Sequence, residues 1–192
     1  MLQKGNMRYV NSIRAVMDTN EELRHYLVEH GQTLMRAVVT YSDSRVNPEV
    51  IFSAGLGEIF VIRTAGNIPF EGSLASIEYV IEHLDLNCVL VMGHTHCGVI
   101  DAAIHGEGHG RMKRIVNKAK AHIGEEKDER KTTIANVWSV ILKCFTQRRM
   151  AVSRLSSMTL FSFFSIIDAE KMQYLLLFGN SAKAARRGDL SP

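Results

Sequence analysis

The chain is poor in cysteine, proline and tryptophan, with three, three and one in 192 residues. The cysteines, Cys88, Cys97 and Cys144, are odd in number and too few for a disulfide framework. A reducing compartment, the cytoplasm, is therefore expected. No apolar run approaches the ~18 residues of a membrane span. The start, Met1 to Asn6, lacks the apolar core of a secretory signal. Charge of one sign is also scarce, since the net charge is only +3 with a pI near 8.8. Basic residues are densest at Arg111-Met112-Lys113-Arg114, with Lys118 and Lys120 beyond. No aromatic residues interleave there as a stacking platform. A solvated helix face is the simpler reading, so neither a nucleic-acid nor a membrane partner is expected.

What the chain does have is 46% hydrophobic and 22% charged residues, the profile of one globular domain with a sizeable core. No repeat or linker divides residues 1–192. An N-terminal helical arm is expected over about 1–31 and a frayed tail over about 184–192. Asn20 to His30 has helical spacing, capped by Thr19 or Asn20 and stopped at Gly31. Leu34–Thr40, Glu58–Arg63 and Cys88–Met92 read as strands, the last the most apolar and central. Pro48 opens a short helix or turn, and Gly72 to Leu84 is amphipathic. Strand, helix, strand in that order predicts an α/β fold: a mostly parallel central sheet flanked by helices. Further helices are expected over Arg111–Ile123 and about Thr132–Thr146. Gly124 to Lys131 reads as a charged, exposed connection between them. Met158–Ile167 and Gln173–Phe178 predict a closing strand pair turned at Asp168 to Lys171. Met158–Ile167 is too apolar for an exposed edge strand, which points to burial in the core or against a second subunit.

Two short stretches carry the chemistry, and each follows a buried strand, where parallel sheets bind ligands. In Gly93-His94-Thr95-His96-Cys97-Gly98, an imidazole and a thiol three residues apart can chelate one zinc ion, with bonds of ~2.0–2.3 Å. Two donors do not hold zinc well, so a third must come from elsewhere. In Tyr41-Ser42-Asp43-Ser44-Arg45, a carboxylate and a guanidinium lie two residues apart. A parallel sheet sets the ends of its first and third strands side by side, which brings Tyr41 and Asp43 towards His94 and Cys97. Alternatives remain at single positions: Cys97 as a small buried hydrophobe, His94 as a hydrogen-bonded core residue. His105 and His109, in a glycine-rich loop, can reach a metal, whereas His96 reads as solvent-facing. Cys88 lies about 20 Å from His94 at the other end of its strand, and Cys144 reads as packing.

Tyr41-Ser42-Asp43-Ser44-Arg45-Val46, Arg63-Thr64-Ala65-Gly66-Asn67, Gly72-Ser73-Leu74 with Ser76-Ile77-Glu78-Tyr79, and Gly93-His94 to Cys97-Gly98 resemble the β-class carbonic anhydrases. The match in order and spacing runs from Leu34 to Asp101; beyond it, Asn136-Val137 and the closing strand pair agree in outline. The resemblance implies one zinc per subunit, a homodimer or higher homo-oligomer, and the reversible hydration of carbon dioxide to bicarbonate. By the same resemblance, His94 and Cys97 are zinc ligands, and Asp43 and Arg45 are the catalytic dyad. The aspartate either hydrogen-bonds the water on zinc or, in a closed state, ligates the metal. The turn at Gly66 and Asn67 offers backbone N–H groups to substrate, or simply ends a strand. One position departs from the pattern: the family has a ligand cysteine where this chain has Tyr41. A phenol, with an ordinary pKa near 10, is a poor zinc ligand beside a thiolate. Three readings follow. Zinc stays on His94, Cys97 and Asp43 with help from Tyr41 oxygen or water. Or the site is metal-free in an inactive relative that binds a small anion or serves as a scaffold. Or the site is reshaped for another metal or reaction.

Overall fold

A computed structural model describes residues 2–13, 17–34, 36–84, 86, 88–146, 161–168 and 173–180, with backbone only for 144–146 and for the last two segments. Helices α1 (Leu2–Val10) and α2 (Glu21–His30) precede strand β1 (Arg36–Tyr41). They are followed by α3 (Pro48–Phe52), β2 (Ile59–Thr64), a 3-10 turn (Ala65–Asn67), α4 (Glu71–His83) and β3 (Val89–His94). Next come α5 (Gly98–His105), α6 (Met112–Ile123), α7 (Glu129–Thr146), β4 (Phe161–Asp168) and β5 (Gln173–Asn180). The sheet order is β2-β1-β3-β4-β5. β1 runs parallel to both β2 and β3, β3 runs parallel to β4, and β5 closes the sheet antiparallel. The expected α/β architecture is the observed one, with β3 in the middle.

The strands read as continuous apolar runs because both faces of the sheet are covered. Val38, Leu90 and Met92 pack with Ile51, Phe52, Ile100, Ala103, Val116 and Ala119, from α3, α5 and α6. Ala37, Val39, Val89 and Val91 face the other way, onto Leu74, Ile77 and Val80 of α4 and Val137, Val140 and Ile141 of α7. The alternation follows the two-residue period of a strand. Register then aligns the strand ends. Tyr41 pairs with Thr64, and Val39 pairs with Val91, so β1, β2 and β3 deliver their C-termini to one edge.

Local chemistry sets the boundaries. Asn20 caps α2, its side-chain oxygen accepting from the Leu23 N–H at 2.7 Å, and Gly31 (φ +78°) ends it. Residues 98–105, to which the sequence reading gives no element, form α5 with Cys97 at its N-cap. One expectation needs correction: the charged connection is shorter than expected, because α7 begins at Glu129. Asp128 accepts the Lys131 N–H at 2.9 Å, and acidic side chains suit a helix start. β4 is paired on both sides, so the apolar run is not an edge strand; its side chains, residues 169–171 of the expected turn and the tail over 184–192 lie outside the described residues. Among the described residues no helix is long and apolar enough to cross a membrane.

The N-terminal arm is anchored at one glycine. Gly5 is buried against α3, and its carbonyl accepts the Ser53 hydroxyl at 3.2 Å. A Cβ there would lie 1.7 Å from the Phe52 carbonyl oxygen, which is backbone and cannot step aside. Gly5→Ala is therefore expected to lift α1 off α3 and to cost about 1–3 kcal/mol by overpacking. Urea unfolding gives the cost, and faster amide exchange confined to residues 2–10 gives the location. Unchanged exchange there would contradict this packing.

Candidate active site

The loop after β1 is held by two arginines. Asp43 accepts the Arg45 backbone N–H at 2.9 Å and receives its guanidinium in a fork, Nε to Oδ1 at 2.9 Å and Nη2 to Oδ2 at 2.7 Å. Arg45 Nη2 also donates to the His96 carbonyl at 2.8 Å, tying the loop after β1 to the loop after β3. Arg63 at the end of β2 donates to the carbonyls of Tyr41 at 2.9 Å and Asp43 at 2.7 Å. The Arg45 hydrogen bonds hold the Asp43 carboxyl down at about 2, against the opposing effect of partial burial. Asp43 is therefore an ionised acceptor at every physiological pH.

β3 carries His94 into the interior, where its side chain has no exposure. Its Nδ1 lies 2.7 Å from the Thr95 carbonyl, so that nitrogen carries the proton and donates it. Nε2 is left as a lone pair, and that atom is buried without a partner. Burial lowers the His94 pKa and keeps the ring neutral, the form that ligates metals. Nε2 lies 3.8 Å from Asp43 Oδ2. Two ligands of a tetrahedral zinc, at ~2.0–2.1 Å bond lengths, stand about 3.4 Å apart. The pair is thus close to ligand spacing around a shared point. Cys97 is buried, and burial pushes its thiol up, opposed by the backbone N–H groups of Ile100 and Val99. Imidazole nitrogen, thiol and carboxylate are a donor set that suits zinc. They are not gathered into a finished shell: among the described residues no three His, Cys, Asp or Glu side chains form a metal cluster. His105 and His109 accordingly do not complete one; His105 Nδ1 is paired with the Asp101 carbonyl at 3.0 Å.

Tyr41, the last residue of β1, stands beside His94. Its ring meets His94 edge to face, with centroids 4.4 Å apart and planes at 77°. Its hydroxyl accepts from Asn136 Nδ2 at 2.9 Å, and the side chain is buried. Burial above all, and the neighbouring Cys97, push the phenol pKa up, so it remains protonated. The same Asn136 amide donates to the Gly66 carbonyl at 2.8 Å. Gly66 is at φ +66°, and a Cβ there would lie 2.5 Å from Val99 Cγ1, so glycine is required. Asn67 is buried, with Nδ2 donating to the Met92 carbonyl at 3.1 Å. Gly66 and Asn67 thus do structural work at the strand ends.

Sequence reasoning assigned no task to Arg63, Asn136, Glu129 or Thr133. Glu129 accepts the His96 N–H and lies 3.2 Å from its Nδ1; Thr133 donates to the His94 carbonyl at 3.3 Å. His96 is exposed, as expected, and is also tied to α7 through Glu129. The available signal was polarity in the wrong place: Thr132, Thr133 and Asn136 sit on the same buried flank of α7 as Val137, Val140 and Ile141. A cavity of about 530 Å³ opens beside Cys97, lined by His96, Asp101, Ile104, His105 and Lys127 among others.

Two tests follow from this geometry. Asp43 has a folded pKa below its unfolded value, so in metal-free protein its stabilising effect is present above about pH 4 and is lost as pH falls towards about 2. In Arg45→Gln the Asp43 pKa should return towards the ordinary carboxylate value and that acid-side loss should shrink. Carboxyl-carbon NMR titration checks it, and an unmoved pKa would rule out Arg45 as the cause. Tyr41→Phe removes the acceptor of a buried N–H and should cost about 1–3 kcal/mol in chemical unfolding.

The carbonic anhydrase family model matches residues 36–159, well over half of the chain. Carbonic anhydrase 2 of Mycobacterium tuberculosis is 35% identical over 111 residues, covering 58% of this chain and 53% of the relative. A carbonic anhydrase of Synechococcus elongatus is 50% identical over 76 residues, covering 36% of this chain and 28% of the relative. The chain thus spans about half the length, or less, of these curated relatives. Among solved structures, the Coccomyxa β-carbonic anhydrase in complex with acetazolamide shares the fold at a TM-score of 0.71 and 18% identity, covering 96% of this chain and 90% of that one. The β-carbonic anhydrase CcaA gives 0.63 at 25% identity, over 91% and 90%. With the strand order, the site loops and these matches in agreement, the chain belongs to the β-class carbonic anhydrase family.

Proposed function

We propose that this chain is a zinc protein that interconverts carbon dioxide and bicarbonate, with His94, Cys97 and Asp43 as the residues that would hold the metal. The observation that carries this reading is the partnerless, buried Nε2 of His94 beside Asp43 Oδ2. A lone pair sealed from water and from every protein donor costs about 1–3 kcal/mol, which a metal ion would recover. Bound zinc supplies Lewis acidity that lowers the pKa of a water by many units, carbonic anhydrase being the standard example.

The chain's own residues do the rest. Asp43, ionised and unable to donate, accepts a hydrogen bond from a water or hydroxyl proton and so turns an oxygen lone pair towards carbon. Arg45 fixes the carboxylate by its two-pronged contact and keeps it charged. Asp43 cannot fully serve both as ligand and as proton acceptor, so Tyr41 in the third-donor place makes turnover slower than with a thiolate there. The cavity beside Cys97 is the route for a small neutral molecule and a small anion. A homodimer or larger homo-oligomer working in a reducing compartment completes the reading; a structural neighbour is described as tetrameric, that of Sordaria macrospora.

A second reading has its own observation. The anchored Tyr41 ring lies against His94, and no three-residue metal group is present among the described residues. On that reading the protein is a catalytically inactive relative that binds a small anion at Arg45. Elemental analysis of purified protein, before and after zinc addition, separates the two. The first expects close to one zinc per chain, lost in His94→Ala and weakened in Asp43→Asn, with hydration of carbon dioxide that rises in Tyr41→Cys. No zinc uptake by the parent chain, with uptake restored in Tyr41→Cys, establishes the second and overturns the first.

A further inference from the structure

The polar chain that starts at Tyr41 does not end at Asn136. Asn136 Oδ1 accepts from His122 Nδ1 at 2.7 Å, and His122 Nε2 accepts from Lys143 Nζ at 2.7 Å. His122 is on α6 and Lys143 on α7. Lys118, one turn before His122, holds its ammonium 4.3 Å above the centre of the Phe70 ring. Lys118, His122 and Lys143 are all half-buried. Other lysines nearby have acidic partners, Lys120 with Glu125 and Lys131 with Glu126. Among the described residues, neither Lys118 nor Lys143 has a carboxylate within ion-pair distance. Burial first, and then the neighbouring positive charges, pushes His122 and Lys143 down from their ordinary pKa values.

This differs from a solvated helix face in two ways. Both ammonium groups are held in place, one by an aromatic face and one by an imidazole, so little side-chain freedom is left to lose. Their charges also repel in a partly desolvated place with no counter-charge among the described residues, an arrangement that an anion relieves. Two fixed cations match a doubly charged tetrahedral oxyanion better than a singly charged one. We propose that Lys118 and Lys143, with His122 supporting Lys143, form a binding site for a phosphate-class dianion, separate from the Asp43–Arg45 site.

Isothermal titration of the metal-free full chain with inorganic phosphate, at constant ionic strength set by chloride, tests this. One saturable site per chain is expected. Affinity should fall about tenfold or more in Lys118→Gln and in Lys143→Gln, as loss of a charged hydrogen bond requires. Arg114→Gln, on the exposed face of α6, should bind like the parent. Where Gln disturbs the fold, Lys→Met keeps the alkyl packing. Glycerol phosphate in place of phosphate distinguishes a phosphorylated small molecule, which binds more tightly, from the free ion, and either supports the site. The proposal is overturned by no saturable binding, by bicarbonate binding equal to phosphate, or by equal weakening in Arg114→Gln.

Discussion

The side-chain amide of Asn136 fixes four parts of the fold to one another. It sits on α7 with no exposure, and its three hydrogen bonds reach the end of β1, the turn after β2 and helix α6. Both amide protons and the carbonyl oxygen are used, so the group is satisfied although it is sealed from water. A fully satisfied buried network is directional in a way that apolar packing is not. It sets the angle at which Tyr41 leans on His94 and the height at which the Gly66 carbonyl stands. The Asp43–Arg45 fork works at the other, wetter side of the same place. Its reach to the His96 carbonyl holds together two loops whose strands are already in register. The site is thus graded from solvent inward: Arg45 is half exposed, Asp43 less so, and His94 not at all.

Tyr41 changes the balance of this site more than its size suggests. A thiolate would bring negative charge and a soft donor to the place beside His94. The phenol brings neither, because burial holds its proton on and Asn136 occupies its oxygen. Negative charge near the imidazole comes from Asp43, which Arg45 already claims, and from Glu129. Any cation at His94 competes with a guanidinium that cannot lose its proton. The Tyr41 side chain also makes an edge-to-face ring contact and a buried hydrogen bond, and both support the metal-free fold.

Much of this was legible in the chain. The three parallel strands could be read because a strand buried on both faces is an uninterrupted apolar run, and each ended at a polar motif. Pairing of the motifs then followed from topology, since parallel neighbours share an end. Helix α5 is short and opens on Gly98, a poor helix former that stands at the first helical position and meets no neighbour there, so the local pattern gives it little signal. The first turn of α7 was hidden by its charge, which reads as a loop although acidic residues favour a helix start. Asn136 could be placed on a late helix but not given a partner. Its partners are 95, 70 and 14 residues away in the chain, and no local pattern encodes a contact at that distance.

The reach of Asn136 has one more consequence. A side-chain amide can present its two N–H groups to Tyr41 and Gly66 only if its oxygen faces His122, and His122 can donate there only while its other nitrogen accepts. Lys143 supplies the donor for that second nitrogen. The orientation of a group at the centre of the candidate active site is therefore specified from a pair of basic residues at the rim of α6 and α7. Each link is short, neutral where buried, and charged only where water begins, which is the ordering that electrostatics favours. The ring of Tyr41 is held on its far side by helices that contribute no residue to the Asp43, His94 and Cys97 group. Changes on those helices reach the site by turning one amide.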